Sequence, residues 1–137
     1  GAYPKTPDKL GFKNVFLMDS TDGGVSWTRP RMLTTVYGQT YGSPLSQSDG
    51  TVVVVHDTRY GPGGPGSRAL ISRDEGKTWQ DEVYYLDATN FTGSYSASVV
   101  FDDDTILTIA ASSVAYSWEQ VKDKTDLYAI RWKPVKE

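Results

Sequence analysis

The side chains that could do chemistry are few. The only histidine, His56, is followed directly by Asp57. Imidazole titrates near neutral pH and a neighbouring carboxylate can orient it, so such a pair suits general acid–base work. At the end of an apolar strand the same pair is also how a satisfied structural histidine looks. There is no cysteine, which excludes disulfides, thiolate metal sites and a cysteine nucleophile. A His-based metal site or a Ser–His triad would have to rest on His56 alone. Asp102-Asp103-Asp104 invites a calcium reading, but no ligand spacing follows it, and it reads as a hairpin tip. No metal and no cofactor is expected. Arg59 and Arg68 flank the loop Gly61-Pro62-Gly63-Gly64-Pro65-Gly66. A guanidinium fork can donate two parallel bonds to a carboxylate, so both are candidates for anion contacts; the alternative for either is a surface ion pair.

The elements that must hold these residues are strands. Aromatic residues make up 12% of the 137-residue chain, and 13 Gly and 7 Pro supply turn formers, a mixture that favours an all-β fold. Expected strands are Asn14–Met18, Thr51–His56, Arg68–Ile71, Val83–Leu86, Ser98–Phe101, Ile106–Ala110 and Leu127–Trp132. The run Val52-Val53-Val54-Val55 is unbroken, as in a strand buried on both faces. The best helical candidate is short, Ser117–Lys122. Turns are signalled by Asp49-Gly50, by the Asp run and by the Gly-Pro loop, which is read as a surface loop on a rigid sheet and not as a domain linker. Asn90-Phe91-Thr92 fits a glycosylation sequon, a weak three-residue match.

Composition bounds the function. With 14 Lys+Arg against 17 Asp+Glu the net charge is −3, and there is no basic stripe for nucleic acid. Apolar residues at 38% and charged residues at 23% suit a globular chain. No apolar run approaches the roughly 20 residues of a membrane span. The start, Gly1-Ala2-Tyr3-Pro4-Lys5, has no apolar region of a signal peptide, and a trimmed secreted chain would look the same.

An internal repeat decides the expected architecture. Ser20-Thr21-Asp22-Gly23-Gly24-Val25-Ser26-Trp27 and Ser72-Arg73-Asp74-Glu75-Gly76-Lys77-Thr78-Trp79 both fit Ser-x-Asp-x-Gly-x-Ser/Thr-Trp, 52 residues apart. Each position has a structural reason. Asp22 and Asp74 accept bonds from backbone N–H groups of a tight loop. Gly24 and Gly76 supply a positive φ. The Ser and Thr hydroxyls tie the two sides of the hairpin. Trp27 and Trp79 bury a large face, expected between neighbouring sheets.

These octapeptides resemble the Asp box, or BNR repeat, of the sialidase (neuraminidase) superfamily. The resemblance covers roughly Phe12 to Trp132. It implies a partial β-propeller of two to three four-stranded blades from a six-bladed ring, with each box joining the third and fourth strands of its blade. Residues 1–137 are then one propeller segment; at 52 residues per unit they make about 2.6 blades. Thr51–His56, Arg68–Ile71 and Val83–Leu86 become the second, third and fourth strands of one blade. Ser98–Phe101, Ile106–Ala110 and Leu127–Trp132 become the first three of the next. Gly38-Gln39-Thr40-Tyr41-Gly42, and the strand from Thr51 ending in Arg59-Tyr60, are similar to a bacterial sialidase-like subgroup, which favours a secreted or periplasmic location.

The resemblance also implies a chemistry. A sialidase cleaves a glycoside whose anomeric carbon bears a carboxylate; a carboxylate nucleophile would be repelled, so a neutral tyrosine takes its place. A Glu accepts the tyrosine proton, an Asp serves as general acid and base, and arginines grip the substrate carboxylate. Gly93-Ser94-Tyr95-Ser96-Ala97 is similar to the nucleophile segment, which makes Tyr95 the implied nucleophile, with a packed pocket-wall tyrosine as its alternative. Substrate contacts are implied for Arg59, Arg68, Gln39, Tyr41 and Asp57. Arg68 lies near the position of the family's third arginine, in a register that is a few residues off. Other parts are missing. The general-acid Asp, the first arginine and the catalytic Glu have no counterpart, and Ala97 stands where many members have Asp. One copy is thus expected to be an incomplete sialidase-like hydrolase for sialic-acid-type or related acidic glycans, or else a non-catalytic carbohydrate-binding or structural propeller. Its partners would be an acidic sugar and either copies of itself closing the ring or the remainder of a longer chain.

Overall fold

A computed structural model of the chain describes residues 13–35, 38–58, 66–79, 83–86, 95–113 and 125–135. Among them there is no helix, and nine strands form three antiparallel sheets. β1 (Phe16–Leu17) pairs with β2 (Arg31–Met32). β3 (Gln39–Ser46), β4 (Val52–Thr58), β5 (Gly66–Ser72) and β6 (Val83–Tyr85) form a four-stranded meander in chain order. β7 (Ser96–Val100), β8 (Ile106–Ser113) and β9 (Thr125–Trp132) form a second meander of three. The all-β class is as the composition predicts. The segments Arg59–Pro65, Asn90–Thr92 and Ser117–Lys122 lie outside the described residues.

Every expected strand overlaps an observed one, several of which run two or three residues further, but β2 and β3 were not legible. β2 is two residues long, too short for any periodicity. β3 reads Gln-Thr-Tyr-Gly-Ser-Pro-Leu-Ser, and Gly and Pro are turn signals. Its place in the sheet explains it. β3 is an edge strand, where Pro44 opposite Val54 can lack an N–H without breaking a ladder bond on both sides.

Each Asp box is a closed hydrogen-bond circuit. In the first, Gly24 N–H donates to Ser20 Oγ (2.8 Å), Ser20 Oγ donates to Asp22 Oδ1 (2.8 Å), Ser26 N–H donates to Asp22 Oδ1 (2.9 Å), and Ser26 Oγ donates to Asp22 Oδ2. The second repeats it bond for bond through Gly76, Ser72, Asp74 and Thr78. Gly24 (φ 91°) and Gly76 (φ 81°) occupy the left-handed region that favours glycine. The first box joins β1 to β2 and the second joins β5 to β6. The tryptophans correct the expectation. Trp27 is exposed and Trp79 half-buried. Each folds back over its own turn, with its indole N–H donating to the carbonyl of Gly24 (3.0 Å) or Gly76 (3.2 Å).

The carboxyls of Asp22 and Asp74 are pulled from 3.8 to about 2, first by the Ser26 and Thr78 hydroxyls. A carboxyl that loses its proton more readily when folded stabilises the chain fully above its unfolded pKa, and that contribution disappears as pH falls towards the folded value. The expected result is a thermal stability that drops between about pH 4 and pH 2. Asp74→Ala should melt earlier at neutral pH and show a shallower acid branch. Melting curves across that range decide it; an unchanged acid branch would remove the box from the explanation.

The core lies between the two larger sheets. Val53, Val55, Ala69, Ile71 and Ile106 are buried together, with Leu45, Leu86, Val100 and Trp132 packed against them. Val54, on the opposite face of β4, is also buried, as the unbroken valine run predicts. The sheets are tied by polar contacts at one end. Arg31 Nη2 donates to the Gly76 carbonyl (3.0 Å), linking the first sheet to the second box. Gln47 Nε2 donates to the Asp104 carbonyl (2.7 Å), while Ser48 N–H (2.7 Å) and Oγ donate to its carboxylate. The two Ser48 bonds, the hydroxyl's first, hold the Asp104 carboxyl below its ordinary range.

The tips carrying that clasp form a second repeat. Gln47 N–H donates to the Thr51 carbonyl, Gly50 N–H to that of Gln47, and Thr51 N–H to Asp49 Oδ1. Phe101, Asp104, Thr105 and Asp103 repeat all three, 54 residues on. Only Asp-x-Thr is shared in sequence, too little to be seen without the backbone. The boxes do not continue in the same way. Trp132 pairs with Ile106 as Ser72 pairs with Val52, so Lys133-Pro134-Val135 stand where Arg73-Asp74-Glu75 stand in the second sheet.

Candidate functional site

The boxes and the tips at Asp49 and Asp103 occupy one end of the strands. The residues singled out for chemistry occupy the other. Antiparallel pairing makes this unavoidable within the second sheet, where the start of β3, the end of β4 and the start of β5 share one edge, and the Tyr41–Tyr95 contact brings the start of β7 to it. Register sets Gln39 opposite Thr58, Thr40 opposite Asp57, Asp57 opposite Ser67, and His56 opposite Arg68, which is in turn opposite Tyr85. Asp57 and Arg68 therefore sit in adjacent strands, one rung apart. Gln39 begins β3 on the same edge. Arg59 lies outside the described residues.

Tyr95 precedes β7 and meets Tyr41. Their ring centroids are 4.9 Å apart with planes tilted by 59°, a geometry aromatic pairs favour. Tyr41 is 52% exposed and Tyr95 61%, so the pair is open to a ligand and is not a core contact. The backbone is bent to make it. β3 slips register against β4 between Thr40 and Ser43, and Tyr41 sits at φ 57°, a left-handed conformation costing a non-glycine residue about 1–3 kcal/mol. Bulges of this kind re-aim a side chain next to active sites.

Gly42 is what lets the bent strand fit. A Cβ there would lie 2.6 Å from Val15 Cγ1 and 3.2 Å from Val54 Cγ1. Gly42→Ala is expected to destabilise the chain by about 1–3 kcal/mol through overpacking. Val15→Ala in the same chain should recover much of that, since it removes the nearest clashing atom. Denaturant titration of the two single variants and the double variant checks it; strictly additive losses would mean the two sites do not touch.

The strand ends on this edge are polar and buried. His56, Asp57, Thr58, Ser67 and Arg68 are all buried at the ends of strands that are otherwise apolar. Burying charge is costly without partners. Burial, reinforced by the nearby Arg68 cation, pushes the His56 pKa below its ordinary 6.5, so the ring is neutral at pH 7. With its Nδ1 3.4 Å from the Asp57 carbonyl and almost no exposed surface, His56 fits the structural alternative and not the acid–base one. Thr58 and Ser67 join this group only through strand register. The polar residues ending the valine run and opening β5 were the available signal. Among the described residues no group of three His, Asp or Glu side chains comes together as a metal site. No helix there is long and apolar enough to cross a membrane.

Comparison with protein-family models, with curated proteins and with solved structures yields no match for this chain.

Proposed function

We propose that this chain is a segment of a sialidase-like β-propeller whose strand-end edge binds an acidic sugar. The observation that carries the reading is the edge itself: the exposed Tyr41–Tyr95 pair and the buried Arg68 and Asp57, which face opposite sides of their sheet, share the strand ends away from both Asp boxes. The meander order, with a box between β5 and β6 as the last two strands of a four-stranded sheet, supports a propeller blade. In this reading the Arg68 guanidinium contacts the sugar carboxylate, Tyr41 and Gln39 shape the pocket mouth, and Tyr95 is the nucleophile when the missing general acid and Glu are supplied by further blades. They could come from copies of this chain completing a ring or from a longer polypeptide.

A non-catalytic carbohydrate-binding module is the second reading, favoured by the absence of any match to the catalytic Glu. One pair of measurements separates them: hydrolysis of a fluorogenic sialoside, and saturation-transfer NMR with sialic acid beside a neutral hexose. Binding of the acidic sugar without turnover is the result expected of the chain alone. Binding of neither sugar would overturn both readings and leave a structural propeller.

A further inference from the structure

The box repeat links the first two sheets and the tip repeat the last two, so equivalent residues can be compared across the three. In the second sheet, Leu45, Val53, Val55, Ala69 and Ile71 form one face, and the third sheet covers it. The tip repeat and the strand registers carry these positions to Val99, Leu107, Ile109, Ala129 and Arg131 of the third sheet. That face points outward. Val99 is 49% exposed and Ile109 47%, although their counterparts Leu45 and Val55 belong to the core. Its polar margin differs as well. Gln47 and Ser48, which clasp Asp104, are replaced by Phe101 and Asp102, and Arg131 lies over the Phe101 ring at 5.3 Å.

The opposite end of the molecule has the reciprocal feature. The box repeat aligns Phe16 and Met18 with Arg68 and Leu70, residues on the face of the second sheet away from the third. Phe16 and its cross-strand partner Met32 are each 56% exposed. One end thus presents the face that a sheet of this chain uses to cover its successor, and the other presents the face that a sheet uses to receive its predecessor. Such surfaces are heterologous and match each other, not themselves. Large exposed apolar residues gathered on two separate faces mark interaction surfaces.

We infer that the outward face of the β7–β8–β9 sheet docks the β1–β2 face of a second copy of this chain, head to tail. The contact continues between molecules the packing that the sheets already make within one. The inference rests on the repeat reading of the sheets and not on the sugar site, so a chain that assembles but ignores acidic sugars would sink only the proposed function.

The test is light scattering on the full chain, with Ile109→Glu and Phe16→Glu as variants at exposed positions. The native chain should run at a multiple of its own mass. Each variant should run as a monomer with an unchanged thermal melt. Mixed in equal amounts, the two variants should form a dimer, because each keeps the face that the other has lost. A monomeric native chain at high micromolar concentration would overturn the inference. So would an assembly that Phe16→Glu leaves intact, which would show a face pairing with its own copy. Should either glutamate variant melt early, Val99→Lys mixed with Met32→Lys repeats the complementation at the neighbouring exposed positions.

Discussion

Arg68→Lys is expected to weaken binding of an acidic monosaccharide about 10- to 100-fold, the worth of one charge-assisted hydrogen bond of about 1.5–3 kcal/mol. Lysine keeps the positive charge, so long-range attraction survives. What it loses is the planar fork that can give a carboxylate two parallel bonds. A neutral hexose offers no carboxylate, and its affinity should change far less. Arg68 lies opposite His56 and Tyr85 and is buried, so the substitution must first be shown to leave the fold intact by an unchanged melting curve. Affinities for sialic acid and a neutral sugar, measured side by side by NMR titration, then give the answer. An equal loss for both would mean that Arg68 packs the strand ends and does not touch the ligand.

Ile71→Ala is expected to cost about 2–5 kcal/mol of folding stability, and Ile71→Val about 0.5–1.5 kcal/mol. Ile71 is fully buried in β5 and belongs to the cluster shared by the second and third sheets. Truncation opens a cavity in a cluster whose other buried members are Val53, Val55, Ala69 and Ile106, short and branched or small side chains that can relax into it only in part. Because the cluster spans two sheets, the loss should appear in one cooperative transition. Denaturant unfolding followed by tryptophan fluorescence and by far-UV circular dichroism checks it. Trp132, packed against the cluster, reports the junction, and the backbone signal reports the sheets. Two separated transitions would show that the sheets fold independently and that Ile71 does not weld them.

The same cluster shows which parts of this protein its sequence could reveal. Strands made of β-branched residues, such as Val52-Val53-Val54-Val55, announce themselves because burial on both faces demands an unbroken apolar run. The Asp boxes are equally plain. Their circuits close within eight residues, so every bond in them depends on local spacing, and Ser, Asp, Gly and Ser or Thr must recur at fixed offsets. The aspartate run at 102–104 reads as a turn for the same local reason.

The rest was decided at long range. β3 hides behind Gly42 and Pro44, residues that break most strands. Its edge position makes Pro44 harmless, and the close approach of Val15 and Val54 makes Gly42 necessary; neither fact exists before the sheets assemble. Trp27 illustrates the opposite error, since its size suggests a buried residue while its indole N–H is satisfied three residues back on its own turn. The meeting of Tyr41 with Tyr95, 54 positions apart, required a slip in one strand register and a left-handed residue, which no pattern of residue types encodes. The same holds for the Gln47 and Ser48 clasp on Asp104. Local hydrogen bonding and burial set the strands and boxes from the sequence alone. Which strand ends share an edge, and which faces are left bare, follow only from how finished sheets stack, because those contacts are made between residues with no sequence relation to one another.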